Sequence, residues 1–124
     1  MKARRNQYKI EPLMLCDEND NVIETINVRS DYIAMRNRLL ASLGDIQKLS
    51  EDHATDEAIG GAVLELMKGL YSEEGAIKIL EFFEGNYTEM ITIVTQHIYE
   101  DILPAVNRLL DERRKQAKAY GRGK

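Results

Sequence analysis

The side chains able to do chemistry are few and widely separated. The chain has two histidines, His53 and His97, and one cysteine, Cys16. A zinc site takes three or four Cys, His or carboxylate ligands at short spacings. Neither histidine belongs to an HExxH or Cys/His cluster, so no metal site is expected. His53 reads as a polar-loop residue and His97 as a helix-flank residue. Cys16 would need a neighbouring base and an orienting group to act as a nucleophile. It lies between Leu15 and Asp17 at a strand end, where a small buried hydrophobe is the better reading. The pair Gly60-Gly61 follows no strand and has no Lys-Ser/Thr after it, so it is not a phosphate loop. It reads as helix packing or a weak helix start. Glu73-Glu74 and Asp111-Glu112 are carboxylate pairs of the kind common on solvated helix faces. They could do acid–base work only in a cleft that shifts their pKa values. The expectation is a protein with no catalytic residues, no cofactor and no metal: not an enzyme.

The remaining reactive feature is charge. The 124 residues carry a net charge of −4. Lys2, Arg4, Arg5 and Lys9 stand at one end, and Arg113, Arg114, Lys115, Lys118, Arg122 and Lys124 at the other, with no acid among them. All 21 acids therefore lie between Ile10 and Glu112. An acidic body repels nucleic acid and anionic membranes. The basic ends could serve a small nucleic-acid-binding or transcriptional regulatory protein, although only Tyr120 supplies an aromatic there. They could equally be solvated, or dock on an acidic protein surface.

The elements that must hold these residues come next. Hydrophobic residues make up 44% and charged residues 31%, with no Trp and two Phe. That balance suits one globular domain with an aliphatic core. A lone cysteine forms no intramolecular disulfide and fits a reducing compartment. No apolar run approaches the roughly 20 residues that span a bilayer, and MKARRNQY lacks the apolar stretch of a secretory signal. The reading is cytoplasmic.

Residues 1–7 read as a flexible basic arm. Residues 8–28 read as a β-hairpin: an extended Tyr8–Leu15 interrupted by Pro12, a turn over Asp17-Glu18-Asn19-Asp20-Asn21, and a β-branched Val22–Val28. Alternation puts Val22, Glu24, Ile26 and Val28 on one face. Ser30 or Asp31 is the expected cap of a helix whose stripe is Tyr32, Met35, Leu39, Leu43 and Ile46. Thr55-Asp56-Glu57 starts a second helix, striped by Ile59, Val63, Leu66, Met67 and Leu70. Ser72-Glu73-Glu74 starts a third, stopped at Gly85. Asn86 caps the last and longest, in which Tyr87, Ile91, Val94, Ile98, Ile102, Ala105 and Leu109 recur at three and four. Pro104 inside it predicts a kink or break near 101–104. The fold class is mainly α: four to five helices in one small domain, residues 8–112, with an N-terminal β-hairpin. Residues 113–124 are expected to be a basic, disordered tail. Part of the long last stripe is expected to stay exposed and accept a partner helix or another copy of the chain.

Three segments carry a family likeness. They are the hairpin end Ile26-Asn27-Val28-Arg29-Ser30 running straight into a helix; Gly75-Ala76-Ile77-Lys78-Ile79-Leu80-Glu81-Phe82-Phe83 with its turn and following helix; and Ile98–Pro104, leading to a Lys/Arg-rich end. In these the chain resembles the tail assembly chaperones of long-tailed bacteriophages and their prophages, over roughly residues 8–118. The resemblance implies a protein of the host bacterial cytoplasm that binds the tape measure protein. It would keep that long, apolar, helical chain soluble until the tail tube protein, an indirect partner, polymerises around it. The positions expected to face the client, or a second copy, come from apolar periodicity: Ile91, Val94, Ile98, Ile102, Val106 and Leu109. The same periodicity fits burial of all six within the monomer.

Overall fold

The computed structural model describes residue 1, residues 10–29 and residues 32–122, with backbone alone for 32–35 and 119–122. The expected basic arm, the Ser30/Asp31 cap, and the side chains of Tyr32 and Met35 lie outside the described residues. Strands β1 (Leu13–Cys16) and β2 (Val22–Ile26) form an antiparallel hairpin. Helices α1 (Tyr32–Glu51), α2 (Asp56–Phe82), α3 (Tyr87–His97) and α4 (Leu103–Arg122) follow, with a π-helical turn, Ile98–Ile102, joining the last two.

The hairpin turn is built by one carboxylate. Asp17 Oδ1 accepts the backbone N–H groups of Asn19 at 2.8 Å and Asn21 at 2.9 Å. These bonds favour the ionised form and hold the Asp17 carboxyl below its ordinary value. Asp20 takes the left-handed backbone, φ 63°, that short polar side chains tolerate. Leu13 stands opposite Ile26 and Leu15 opposite Glu24. Cross-strand partners share a face, so Leu13, Leu15 and Ile26 go inward together and are buried. Glu24, at the rim of that face, reaches Lys78 of α2 at 3.8 Å. Val22, which alternation puts on the face of Ile26, is exposed; the register slips between Leu15 and Cys16, so Val22 stands opposite Cys16.

Two helix starts form as the sequence predicts. Thr55 Oγ1 accepts from the Ala58 N–H at 3.2 Å, and Asn86 Oδ1 from the Glu89 N–H at 3.2 Å. Each satisfies a first-turn donor that the helix cannot. Gly85, φ 82°, sits in the linker between α2 and α3, where a left-handed backbone turns the chain.

The helix count differs from the expected four to five. Among the described residues there are three helical rods: α1, α2 kinked at Ser72, and α3 running through the π turn into α4. The start expected at Ser72 falls at that kink: Ser72 leaves helical geometry (φ 75°, ψ 165°) and its hydroxyl accepts from the Gly75 N–H at 3.2 Å, capping the second helical part of α2. Pro104 does not break the last rod. Leu103 N–H bonds back five residues to Ile98 O, so the wide turn is made just before the residue that has no N–H to give. The basic end is also helical, to Arg122. Its Arg, Lys, Gln and Ala residues are good helix formers, and cations suit a helix C-terminus.

The helices pack closely at Gly60, which is buried against the ring of Tyr87. A Cβ there would lie 2.5 Å from the Tyr87 ring, whereas a Cβ on Gly61 meets nothing within 4 Å. The two neighbours should therefore respond with opposite sign. Gly60→Ala is expected to destabilise by about 1–3 kcal/mol through overpacking. Gly61→Ala should stabilise by about 0.5–1 kcal/mol through helix propensity and unfolded-state entropy. Urea unfolding of the two variants checks both, and equal signs would contradict this packing.

Candidate functional site

Five of the six positions expected to face a client are core. Val94, Ile98, Ile102, Val106 and Leu109 are at most 3% exposed, and Ile91 is half-buried. This corrects their reading as an exposed surface. α2 packs against α3 and α1 against α4, so the apolar face of the last rod is covered within the chain. Ile98→Asp would place an unpaired carboxylate in that core.

What remains exposed is elsewhere. Met14 and Ile23 project from the outer face of the hairpin, half exposed, and Tyr99 projects from the π turn. Between α1 and the last rod a groove of about 200 Å³ opens to solvent. Leu43 and Ile46 of α1 form one wall, and Thr95 and Tyr99 the other. Its floor is core: Val63, Leu66, Val94 and Ile98. The groove exists because α1 packs along α2 and then onto α4, where Arg36 Nε donates to Asn107 Oδ1 at 3.1 Å, so it spans over α3 without filling the space above it.

A second, shallower groove separates β1 from α3 and the π turn. Glu11, Pro12, Met14, Ile93, Glu100 and Asp101 line it, with His97 behind them. His97 is buried, not on a solvated flank as expected. Its Nε2 lies 2.7 Å from the Glu11 carbonyl oxygen, and its Nδ1 2.7 Å from the Tyr71 hydroxyl. A carbonyl can only accept, so Nε2 carries the proton, and Nδ1 accepts from the Tyr71 O–H. The rings of Tyr71 and His97 also stack, with centroids 5.7 Å apart. This chain of bonds joins α2, α3 and the segment leading into β1. Burial, with the Asp101 carboxylate adding to it, raises the Tyr71 pKa well above that of a free tyrosine.

The arrangement holds the molecule together and has no free arm for chemistry. Both His97 nitrogens are engaged, and the Tyr71 proton is used. Cys16 is half-buried, with its thiol 3.9 Å from the Met14 carbonyl. His53 is exposed and stands in a left-handed turn, φ 55°. Among the described residues no group of three or more His, Cys, Asp and Glu could hold a metal ion. No helix among them is long and apolar enough to cross a membrane. His97 was legible in principle: Met90, Val94 and His97 are spaced by four and three on one helix face, which the pairing of His97 with polar surroundings obscured. Neither a protein-family model, nor a curated protein, nor a solved structure matches this chain.

Two measurements check the Tyr71–His97–Glu11 chain. His97→Phe keeps the ring but strands the Tyr71 hydroxyl and the Glu11 carbonyl, and should cost about 1–3 kcal/mol. Amide exchange over residues 10–16 should accelerate in that variant. The alkaline sign follows from the raised Tyr71 pKa. A raised value in the folded state contributes stability that is intact below the ordinary tyrosine range, about pH 10, and is lost as pH rises beyond it. An ultraviolet tyrosinate titration should show one of the six tyrosines ionising only as the protein unfolds. Tyr71→Phe should abolish that late step.

Proposed function

We propose that this domain is a protein-binding assembly factor of the tail-chaperone kind, which holds a helical, apolar client such as a phage tape measure protein in solution. The observation that carries the reading is the groove between α1 and the last rod. Its floor is continuous with the hydrophobic core, its α1 wall carries Leu43 and Ile46 beside Gln47, and Tyr99 stands 56% exposed at its rim. An amphipathic client helix would lay one or two apolar side chains into such a groove and rest its flank on Tyr99. The three sequence segments shared with tail assembly chaperones support the same reading. The acidic body fits it too, since mutual repulsion disperses loaded complexes.

The surface assigned to the client moves accordingly, from the buried stripe to the groove rim. Co-expression with a tape measure protein tests this. The wild-type chain is expected to shift the client from the pellet to the supernatant. Tyr99→Asp, at an exposed site where substitution changes stability by roughly 0.5 kcal/mol or less, should lose most of that rescue while its circular dichroism and unfolding midpoint stay the same. A folded Tyr99→Asp that rescues fully would remove the groove from the mechanism, and a wild type that rescues nothing would remove the function.

The nucleic-acid reading keeps one specific observation in its favour: the helical end of α4 displays Arg113, Arg114, Lys115 and Lys118 to solvent. A mobility shift on mixed-sequence DNA that weakens steeply with salt would favour it.

A further inference from the structure

Among the described residues, the outer half of α4 has no packing partner. Beyond Leu110 the helix runs on to Arg122, and all described side chains from Arg113 to Lys118 are exposed. Arg113, Arg114, Lys115 and Lys118 make no ion pair with any described residue. Earlier on the same rod stands the opposite charge. Glu100 is exposed and Asp101 half-exposed in the π turn, with Glu11 beside them across the β1 groove and no Lys or Arg in its lining. Gln96 donates to Glu100 at 3.2 Å and His97 Nε2 lies 3.8 Å from Asp101, but neither carboxylate meets a Lys or Arg among the described residues. One element thus carries carboxylates without a Lys or Arg partner at one place and cations without an acidic partner about ten to fifteen residues on, roughly 20 Å away at 1.5 Å per residue.

We infer that two copies of this chain pair through their last helices, antiparallel, with the cationic end of α4 from each copy lying on the acidic π turn of the other. A two-fold axis crossing the rod between Asn107 and Arg108 sets the register. It places Glu100 opposite Lys115, Asp101 opposite Arg114, and Pro104 opposite Asp111. These residues lie along one side of the rod: Glu100, Pro104, Arg108, Asp111, Lys115 and Lys118 follow one another at three and four, and all are exposed. The axis repeats every contact, so the two charge pairs count twice, and the interface closes on itself as a dimer instead of growing into a filament. In this register Arg108 lies beside the axis, next to its own copy, a like-charge contact that the flanking charge pairs must outweigh; moving the axis four residues on, to between Asp111 and Glu112, would add Lys115 against Arg108 twice. Neither Glu100 nor Lys115 lines the groove over α3, although Tyr99 at its rim directly precedes Glu100.

Sedimentation velocity on the nuclease-treated full chain tests it. The wild type is expected to dimerise at about 50 mM salt and to dissociate on going to about 500 mM, where the screening length falls to a few ångströms. Glu100→Lys should weaken the dimer by about tenfold, because each exposed reversal counts twice. Lys115→Glu should do the same. The double variant, Glu100→Lys with Lys115→Glu, should return to near wild-type affinity. Circular dichroism of each variant confirms that the rods are intact. A wild type that stays monomeric at low salt and high concentration overturns the inference. So does a dimer that either single reversal leaves unchanged, or one that the double reversal fails to restore. Client rescue by these same variants reports separately on the proposed function, since Glu100 and Lys115 lie outside the groove at Tyr99.

Discussion

The structure depends on keeping one face of its last rod apolar through a proline. Met90, Val94, Ile98, Ile102 and Val106 are all buried and all four residues apart. A regular helix turns about 100° per residue, so each step of four drifts by about 40°, and four steps by roughly 160°. Such a stripe would wind halfway round the rod and leave α2. The π turn at Ile98–Ile102 absorbs one extra residue and returns about 100° of that drift. The remaining 60° or so fits within the width of an ordinary apolar stripe. The proline and the stripe thus ask for the same local geometry. Pro104 has no N–H to offer, and the wide turn ahead of it is where the phase must be corrected. Because the correction succeeds, the whole stripe is spent on the core, and none of it is left over for a partner.

That outcome fixes what the hairpin has to do. Two strands alone are marginal in water, and this hairpin contributes only Leu13, Leu15 and Ile26 to the core. It is held by point attachments spread along its length. The Arg29 N–H donates to the Leu70 carbonyl at 2.8 Å, Glu24 reaches Lys78, and Glu11 accepts from His97. The last of these is the only one that ties the start of the strand to the far end of the chain. Satisfying both nitrogens of a buried imidazole with one hydroxyl and one carbonyl requires a single tautomer and a single placement of three elements. A bridge of that kind specifies geometry more than it adds energy, since a neutral hydrogen bond contributes about 1 kcal/mol net.

Much of this was legible in the residues. Thr55 and Asn86 cap the helices they were expected to cap, because a side chain two or three residues from its target needs no tertiary context. The hairpin, its Asp17 turn and the mainly helical class follow from equally local rules. The misses are non-local or cooperative. Ser72 caps a helical segment as its start signal suggests, but the kink that joins this segment to the helix before it within α2 is set by packing. The basic end, expected to be disordered, is helical to Arg122, because its Arg, Lys, Gln and Ala residues favour helix whatever their charge. The exposed stripe proved buried, because periodicity shows that a face is apolar and says nothing of what covers it. Placing Glu11 on His97 requires knowing that residues 86 apart meet, and neither local propensity nor spacing contains that.

The consequence for function is a change of surface without a change of physics. Under the proposed function, with the long amphipathic helix satisfied within the chain, recognition falls to what the packing leaves unfilled. Here that is the space under α1, left because α1 bridges from α2 to α4 over α3, and the charged side of the last rod. The two differ in kind. A groove floored by core side chains binds through apolar contact and depends little on salt, which would suit a client with many similar apolar helices. A row of exposed carboxylates and cations is screened by salt and demanding of register, which suits one partner met in one orientation. A chain that offers both can hold a variable client at one site and a copy of itself at the other.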